Sequence, residues 1–391
     1  MRHYCTYFDI NFLARGLVLV DSLKQHENDF VLYALCLDDI SYGVINRLND
    51  PHCLPIALSD LEAFDARLPV ARANRTRIEY YFTLSPFLPL YLLTTFPNIP
   101  YITYVDADCF FYASPQPIYD ELGDGSVLVI EHRFARSDAG RLKYGRFNVG
   151  LQVFRRDRYA LDCLRNWAGQ CAEWCYDKVE DGKFADQKYL DEWPIICRGL
   201  KILQHKGVNV APWNIGNVML ACRNSRLYVD DVPLIMYHFH DLRFVTSEMY
   251  CPTNDDRYLC ALHLKLLYTD YVQAVKTKAV HNAIDVCGHI RTKSSANSYN
   301  TDNLFSGGQC LSIALSPEGT SLWKWRIAHY RRNCNRTLEQ IIMAFQAEEW
   351  SLLRHCLLTG VVQYPQLLMN HHIWNIILRR FFIDRKKHLT S

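Results

Sequence analysis

The sequence lacks any run of 18 or more apolar residues, so it predicts no helix that spans a membrane. It also lacks a strong charge of either sign. Its 43 Lys and Arg stand against 41 Asp and Glu, and a net charge of +2 gives no general case for binding nucleic acid. No internal repeat is found. What remains, with 49% apolar and 21% charged residues, is the composition of a globular protein.

Cysteine is plentiful, but no pair has the CxxC spacing, and the first residues do not have the pattern of a signal peptide. We therefore expect the fifteen Cys to be reduced, mostly buried thiols in a cytoplasmic protein. Cys171 and Cys175 share one face of a predicted helix with Cys163 and Trp167. Core packing is the expected role of this face, since a metal or redox site would need partners that the sequence does not supply.

The first half of the chain alternates between strand and helix patterns. Strands are predicted over residues 2–8, 30–37, 53–58, 101–105 and 126–130, and helices over 11–25, 41–48 and 76–96, with Ser41 as an N-cap. A turn feeding a strand follows at 147–154, then a helix at 157–176, a strand at 232–240 and a helix at 258–285. This rhythm predicts a mainly parallel α/β sheet with helices on both faces, which binds its ligand at the carboxyl ends of the strands.

Two carboxylates stand at one such strand end. Asp106 and Asp108 follow the apolar residues 101–105, and residues i and i+2 of an extended segment point the same way. The pair can therefore hold one hard divalent cation, which usually keeps positions open for water and substrate phosphates. The pattern indicates chemistry on a nucleotide diphosphate. The alternative is an ordinary turn with both Asp residues solvated.

Further segments extend this pattern along the chain. They are residues 4–23, 104–108, 147–154, the pair Asp186 and Gln187, the pair Trp213 and Asn214, and residues 237–240. Together, and in this order, they resemble the GT-A glycosyltransferases, closest to glycosyltransferase family 8, which includes glycogenin and bacterial lipopolysaccharide galactosyltransferases. The resemblance covers about residues 2–245. It implies that residues 1–250 form a GT-A catalytic domain with a Rossmann-like sheet.

The resemblance also implies an activity and its residues. The expected reaction is metal-dependent transfer of a sugar from a nucleotide diphosphate sugar, a UDP-sugar above all, to a glycan or lipid-linked glycan, with retention of configuration. Mn²⁺ or Mg²⁺ would be held by Asp106, Asp108 and one of His238 and His240, since imidazole also admits softer ions. The expected catalytic residues are Asp186, Gln187 and Asn148, beside the small Gly150. The expected nucleotide and donor contacts are Thr6, Asp9, Phe12, Arg77, Ala107, Trp213, Asn214 and Arg243.

The chain departs from the family pattern at two positions where the family usually has a lysine. The family's late His usually leads into Gly and Lys-Pro-Trp, but here Asp241 and Arg243 follow, so Arg243 is the candidate substitute for the diphosphate-binding Lys. The Lys of the helix before Asp106 is also absent. Two other functions remain: a nucleotidyltransferase that makes sugar nucleotides, and a non-catalytic binding protein. The first favours an early Gly-rich loop, and residues 6–11 contain no Gly.

The last third of the chain has a different character. We expect residues 251–391 to be mostly helical, with a Ser/Asn/Gly-rich loop near 291–310. Residues 321–391 carry eleven Lys and Arg against four Asp and Glu, interleaved with aromatic residues. This segment either rests on the anionic inner face of a membrane or packs on the catalytic domain. Residues 178–194 and 241–256 are candidate lids over the diphosphate.

Overall fold

The computed structural model describes residues 1–245, 249–254, 258–284 and 313–314. The strands of the first half are β1 (Arg2–Phe8), β2 (Phe30–Cys36), β3 (Cys53–Ala57), β4 (Tyr101–Val105), β5 (Cys109–Phe111), β6 (Val127–Glu131), β7 (Phe147–Arg155) and β8 (Leu200–Ile202). All except β5 form one sheet in the order β3-β2-β1-β4-β7-β6-β8. Six of these strands point the same way, and only β7 runs antiparallel to its neighbours. The predicted mainly parallel α/β sheet is confirmed.

The helices are α1 (Leu13–Lys24), α2 (Asp39–Leu48), α3 (Leu58–Phe64), α4 (Arg67–Asn74), α5 (Arg77–Thr95), α6 (Gln116–Leu122), α7 (Arg158–Glu173), α8 (Trp193–Ile196), α9 (Ala261–His263) and α10 (Thr269–His281). A π-helical turn, Leu264–Tyr268, joins α9 to α10, and 3₁₀ segments cover Arg136–Tyr144, Gln187–Glu192 and Ile215–Asn217. The smaller strands are β9 (Leu220–Arg223), β10 (Arg226–Val229), β11 (Val232–Pro233), β12 (Met236–His238), β13 (Arg243–Phe244), β14 (Met249–Cys251) and β15 (Ile313–Ala314).

Both faces of the sheet are covered, so its central strands are buried on each side. Along β1, Tyr4 belongs to the apolar cluster under α1, α2 and α6, whereas Cys5 belongs to the cluster under α5 and α7. Neighbouring side chains of a strand point to opposite faces, which is why both residues can be fully buried. The candidate site lies at the end of β4, one of these central strands.

Local capping explains where two helices begin. Thr76 caps α5 through a capping box with Glu79, close to the predicted start at residue 76. The prediction of Ser41 as the cap of α2 is wrong. The carboxylate of Asp38 accepts a hydrogen bond of 2.7 Å from the backbone N–H of Ser41, so the cap stands three residues earlier. The short helices α3 and α4 were not predicted.

The predicted strand over residues 232–240 is two strands with different partners. β11 pairs with β10 in a small antiparallel sheet, and β12 pairs with β5 beside the strand end of β4. Likewise, residue 147 already lies in β7, so the turn predicted at the start of 147–154 is wrong as well. Because β12 pairs with β5 and not with β10, the chain after β11 runs next to Asp106 and Asp108.

The helix predicted over residues 258–285 is helical from Ala261 to His281 and packs on the first helix of the chain. Tyr271 and Val275 of α10 share an apolar cluster with Ala14 and Val18 of α1. Lys278 adds an ion pair of 2.6 Å with Asp21. This contact joins the region after residue 250 to the sheet; the predicted domain boundary at residue 250 stays a prediction.

Most cysteines behave as expected. Within the described residues ten Cys are free and only Cys222 is exposed, while Cys171 and Cys175 pack in the core under α7. Cys251 is the exception because it is disulfide-bonded, so the expectation of reduced thiols fails there. The part of the chain that the structure describes contains no helix long and apolar enough to cross a bilayer. The loop predicted near 291–310 and the basic region 321–391 lie outside the described residues.

Candidate active site

The two predicted metal-binding carboxylates lie in a turn between β4 and β5. The sequence analysis assumed an extended segment, but residues 106–108 form a turn that is closed by a hydrogen bond of 3.1 Å from the N–H of Cys109 to the carbonyl of Asp106. A further bond of 3.1 Å, from the N–H of Asp106 to the carbonyl of Gly150, ties the turn to β7. The turn brings both carboxylates to one side, as expected, by a different geometry.

His238 faces both carboxylates. β12 pairs with β5 so that His238 lies opposite Cys109, next to Asp108. The imidazole Nε2 is 3.2 Å from Oδ1 of Asp108 and 3.6 Å from Oδ2 of Asp106. The ring is almost fully buried, and it occupies the open space above Gly150. Gly150, expected beside the catalytic residues, therefore makes room for the histidine.

The charges of this cluster fit a divalent cation. Burial alone would raise the pKa of Asp108, but the facing His238 lowers it to about 2. Burial raises the pKa of Asp106, and the neighbouring charge of Asp108 adds to the rise. Burial would lower the pKa of His238, yet the two carboxylates raise it. A proton on Nε2 of His238 thus places positive charge between the two carboxylates, and a metal ion can replace that charge. Two carboxylates and one imidazole suit Mn²⁺ or Mg²⁺.

Asp108, Cys109 and His238 form a group whose possible ligand atoms all lie within 4.8 Å of one another. Burial raises the pKa of the Cys109 thiol well above the ordinary value, and the thiol donates a hydrogen bond of 3.9 Å to the carbonyl of Gly150. Metals bind the thiolate, so a protonated, engaged thiol competes badly. Asp106, Asp108 and His238 are therefore the candidate metal-binding set.

His240 lies at the rim of the same cluster. Its side chain is 52% exposed, and its Nε2 is 3.8 Å from a carboxylate oxygen of Asp241. Trp213 packs edge-on against both rings, with its ring centroid 5.2 Å from each of His238 and His240. The structure thus places His238 at the carboxylates and His240 beside them, with Trp213 as the wall that orients both.

Asn148 belongs to a buried amide network behind the metal-binding set. Its Oδ1 accepts hydrogen bonds from the N–H of Gly150 (3.0 Å) and from Nδ2 of Asn209 (3.1 Å). Asn214 donates to the carbonyls of His132 (2.9 Å) and Asn209 (3.0 Å). Nε1 of Trp213 donates a hydrogen bond of 2.9 Å to the same carbonyl of His132. The sequence analysis missed His132 and Asn209, and neither stands in a local pattern that would reveal it.

His132 itself is a neutral member of this network. Burial lowers its pKa to about 3, and its Nε2 lies 3.4 Å from Nδ2 of Asn148. An uncharged ring at this place can accept from Asn148 without adding a positive charge behind the cation site. The network therefore fixes Trp213, Asn214 and Asn148 as structural supports of the site.

Asp186 is a further buried carboxylate of the candidate site. Burial, together with the charge of Asp106, raises its pKa to about 7, against a hydrogen bond from Ser85 that lowers it. Its backbone carbonyl accepts 2.9 Å from Nε1 of Trp167. Gln187 follows on a 3₁₀ segment, and its Nε2 donates 2.9 Å to the carbonyl of Tyr144, which leaves Oε1 to face a ligand. The role of both residues in binding or catalysis stays a prediction.

Two of the predicted nucleotide contacts, Asp9 and Phe12, lie between β1 and α1. The carboxylate of Asp9 accepts from the N–H of Asn11 (3.0 Å) and from the hydroxyl of Tyr81 on α5 (3.3 Å). Phe12 precedes α1, and the guanidinium of Arg15 lies 4.3 Å above its ring. Thr6 and Ala107 are both buried. Arg77, at the start of α5, is exposed. Burial raises the pKa of Tyr81, and the positive charge of Arg77 partly opposes this rise.

Two arginines flank the segment that follows His240. Arg243 is exposed and donates to the side chain of Asn254, so in this structure it does not point at the carboxylates. Arg15 is buried, donates 2.8 Å to the carbonyl of Leu242, and lowers the pKa of Asp108. The sequence analysis did not name Arg15, which anchors the segment after His240 on α1.

Fold and site together define an α/β protein with a carboxylate–imidazole centre at the ends of its strands. Two proteins of Bacillus subtilis (strain 168), both described as uncharacterized, are related to it. YfnF is 31% identical over 251 residues, which cover 62% of this chain and 82% of YfnF. YfnD is 28% identical over 277 residues, which cover 70% of this chain and 88% of YfnD. The chain belongs to the same family as YfnF.

No protein-family model matches the chain. Among solved structures, it is similar to the galactosyltransferase LgtC in complex with donor and acceptor sugar analogues, with a TM-score of 0.47 and 15% identity over 70% of this chain and 95% of LgtC. Mouse xyloside xylosyltransferase 1 gives a TM-score of 0.40 and 16% identity over 61% and 97%. The glycosyltransferase GlyE of Streptococcus pneumoniae TIGR4 gives 0.40 and 13% over 73% and 64%.

Proposed function

We propose that this protein is a metal-dependent glycosyltransferase that takes a sugar from a UDP-sugar and transfers it to a glycan or lipid-linked glycan. The observation that carries the proposal is the convergence of Asp106, Asp108 and His238 at the end of β4, with Asp186 buried nearby. Two carboxylates and an imidazole are a set of ligands for a divalent ion that also binds phosphates. A third carboxylate, the protonatable Asp186, gives the site a group for the sugar.

The residues divide the work between two ends of the site. A metal ion held by Asp106, Asp108 and His238 would supply Lewis-acid stabilisation of the leaving nucleoside diphosphate. Asp186 and the free Oε1 of Gln187 would hydrogen-bond to hydroxyl groups of the donor sugar and hold it in reactive orientation. Asp9 and Phe12 would contact the nucleoside, on the far side of the carboxylates. Asn148 would act by holding the site together, since its amide is already engaged.

Retention of configuration is part of the proposal. Retaining hydrolases place a carboxylate nucleophile below the sugar ring. Here, Asp186 is the buried carboxylate at the sugar end, and it can stabilise positive charge on the sugar when it is ionised. Front-face attack by the acceptor hydroxyl, with Asp186 and Gln187 as stabilisers, uses the same residues.

The acceptor end is argued from the sequence. The basic, aromatic-bearing segment 321–391 suits an anionic membrane surface, which would bring a lipid-linked glycan to a cytoplasmic enzyme. A vesicle co-sedimentation assay of the full chain with and without anionic lipid tests this contact, and binding that is independent of anionic lipid contradicts it.

Calorimetry tests the function directly. UDP is titrated into the protein with and without Mn²⁺, and in parallel into a variant that combines Asp106→Asn and Asp108→Asn. We expect binding that requires Mn²⁺ and that the variant loses. The measurement is followed by an assay of UDP release from a panel of UDP-sugars in Mn²⁺. A folded wild type that neither binds UDP in Mn²⁺ nor releases it from any donor contradicts the proposal.

A further inference from the structure

Arg15 is a buried cation between two parts of the candidate site. It lies in the first turn of α1 and is only 4% exposed. Its Nη2 donates a hydrogen bond of 2.8 Å to the carbonyl of Leu242, and its Nη1 donates one of 3.3 Å to the carbonyl of Asn11. One guanidinium group therefore contacts the segment after His240 and also residues 9–12, the nucleoside loop, which carry the candidate nucleoside contacts.

Two aromatic rings hold the guanidinium group in place. Its Cζ lies 4.3 Å from the ring centroid of Phe12 and 5.9 Å from that of Phe244. A guanidinium group stacks on aromatic faces and presents its donors in a fixed planar fork, whereas the ammonium group of a lysine is a point charge. The ring of Phe12, an expected contact of the nucleoside, thus packs on the same group that holds the carbonyl of Leu242.

The turn from Phe239 to Leu242 directly follows the last candidate metal ligand, and it is held at both ends. A hydrogen bond of 3.1 Å from the N–H of Leu242 to the carbonyl of Phe239 closes the turn. At its first residue, the ring of Phe239 stacks on that of Tyr271 of α10, with the centroids 3.6 Å apart. At its last residue, Arg15 holds the carbonyl. Arg15 therefore fixes this turn to α1.

The charge of Arg15 is surrounded by neutral acceptors. Both of its hydrogen bonds go to carbonyl groups, and within the part of the chain that the structure describes no carboxylate forms an ion pair with it. A buried cation without a carboxylate partner is costly unless its donors are engaged. The two carbonyl contacts therefore favour one arrangement, in which the nucleoside loop and the turn are fixed relative to each other.

We propose that Arg15 is a positioning residue that couples the binding of the metal ion to the binding of the nucleotide. An ion on His238 fixes the turn that follows, and Arg15 passes this order to Phe12 and the nucleoside loop. By linkage, a bound nucleotide must then favour the ion to the same extent. Contact between the ion and the diphosphate adds coupling that does not need Arg15. The inference rests on the proposed function and adds a residue to it.

The experiment measures the affinity for Mn²⁺ with and without saturating UDP, by electron paramagnetic resonance of free Mn²⁺. Mn²⁺ bound to free UDP is subtracted with a titration that contains no protein. Wild type is compared with Arg15→Lys, which keeps the charge but loses the planar fork. The measured quantity is the coupling ratio, the factor by which UDP raises the affinity for Mn²⁺.

Arg156→Lys is the matched control. The guanidinium group of Arg156 also donates to two backbone carbonyls, those of Ile99 and Phe96. Arg156 directly follows β7, which runs antiparallel to β4, and both acceptors precede β4. These contacts therefore lie at the opposite end of the strands from the candidate site.

We expect Arg15→Lys to lower the coupling ratio about fivefold to tenfold, within the usual range of coupling between two sites. Its affinity for Mn²⁺ without UDP should fall less, because the pairing of β12 with β5 holds His238 in place. A merely structural role would lower the affinity for Mn²⁺ by the same factor with and without UDP, and the ratio would not change. Arg156→Lys should keep the wild-type ratio. Arg15→Gln, which should lower the ratio at least as much, is the second variant, should Arg15→Lys fold poorly.

Two results would overturn the inference. One is a folded Arg15→Lys or Arg15→Gln variant that keeps the wild-type coupling ratio. The other is an equal loss of the ratio in Arg15→Lys and Arg156→Lys, which would indicate a general loosening of the fold. A wild type that does not bind UDP in Mn²⁺ contradicts the proposed function, and the inference falls with it; this outcome is seen before any variant is made.

Discussion

The ring of His238 fills the space that a side chain at position 150 would need. A Cβ atom on Gly150 would lie 2.8 Å from Nδ1 and 2.9 Å from Cε1 of that ring, and 2.6 Å from Oδ1 of Asn148. The absence of a side chain at Gly150 on β7 therefore allows the imidazole of His238 on β12 to take this buried position. The position of the imidazole beside Asp106 and Asp108 depends on it.

Gly150→Ala should therefore displace His238 and weaken the binding of Mn²⁺. We expect a loss of affinity of about tenfold to a hundredfold, the range seen when a residue that orients a metal ligand is changed. Electron paramagnetic resonance of free Mn²⁺ measures it. Gly140→Ala is the matched control, since a Cβ there would have nothing within 4 Å. Equal Mn²⁺ affinity in Gly150→Ala and wild type would contradict the prediction.

The two histidines can be separated by the same measurement. His238→Gln removes the nitrogen that lies between Asp106 and Asp108, so it should cost at least about tenfold in Mn²⁺ affinity. His240→Gln changes a half-exposed side chain at the rim and should cost much less. A larger loss in His240→Gln would reverse the assignment and would mean that the segment after His238 rearranges when the ion binds.

The sheet and the carboxylate pair could be predicted because their signals are local. Residues 101–105 are β-branched or aromatic throughout, as suits a strand that is buried on both faces, and Asp106 and Asp108 follow directly. The prediction for the cap of α2 was wrong for an equally local reason. Asp38 and Ser41 are both common N-cap residues, and the sequence does not show at which of them the helix begins. Short helices such as α3 carry too few turns to show a periodicity.

The support of the site could not be predicted, since its contacts span the chain. Tyr7 meets Ser85 across 78 positions, and Asn209 meets Asn148 across 61. Tyr7 and Asn148 lie in segments that carry the resemblance, but no pattern pairs them with Ser85 and Asn209, which stand in no motif. Only the packing of α5 and of the loop after β8 onto the strands makes these residues neighbours. The candidate site residues that lie in motifs could thus be predicted, and the residues that support them from other parts of the chain could not.

The amide network gives a prediction on stability. Asn209→Ala removes the Nδ2 that donates 3.1 Å to Asn148 and leaves that buried acceptor with one partner fewer. Asn209 also has a positive φ of 57°, so part of any loss comes from the backbone. Asn224→Ala corrects for this, because Asn224 has a φ of 50° in an exposed turn. We expect Asn209→Ala to lower the free energy of unfolding by about 1–3 kcal/mol more than Asn224→Ala in urea titrations. Equal losses would mean that the network adds nothing.

The raised pKa of Asp186 predicts how stability depends on pH when no metal ion is bound. Burial takes the pKa of this carboxyl group from 3.8 to about 7. Below pH 3.8 the group is protonated in both the folded and the unfolded chain, so its ionisation does not reduce the free energy of unfolding. As the pH rises from 3.8 to about 7, the unfolded chain releases the proton and the folded protein keeps it, so the free energy of unfolding falls. Above about pH 7 both states are ionised and the loss is complete.

Asp186→Asn should abolish this loss, because an amide does not titrate. Between pH 4 and pH 8 in EDTA, we expect wild type to lose on the order of 4 kcal/mol more unfolding free energy than the variant, from a shift of about three pKa units at about 1.4 kcal/mol each. Urea unfolding at both pH values measures the difference. Asp181→Asn, at an exposed position, should follow wild type. Parallel pH profiles for wild type and Asp186→Asn would show that Asp186 is already ionised at pH 4 and that its burial is relieved by water or a counter-ion.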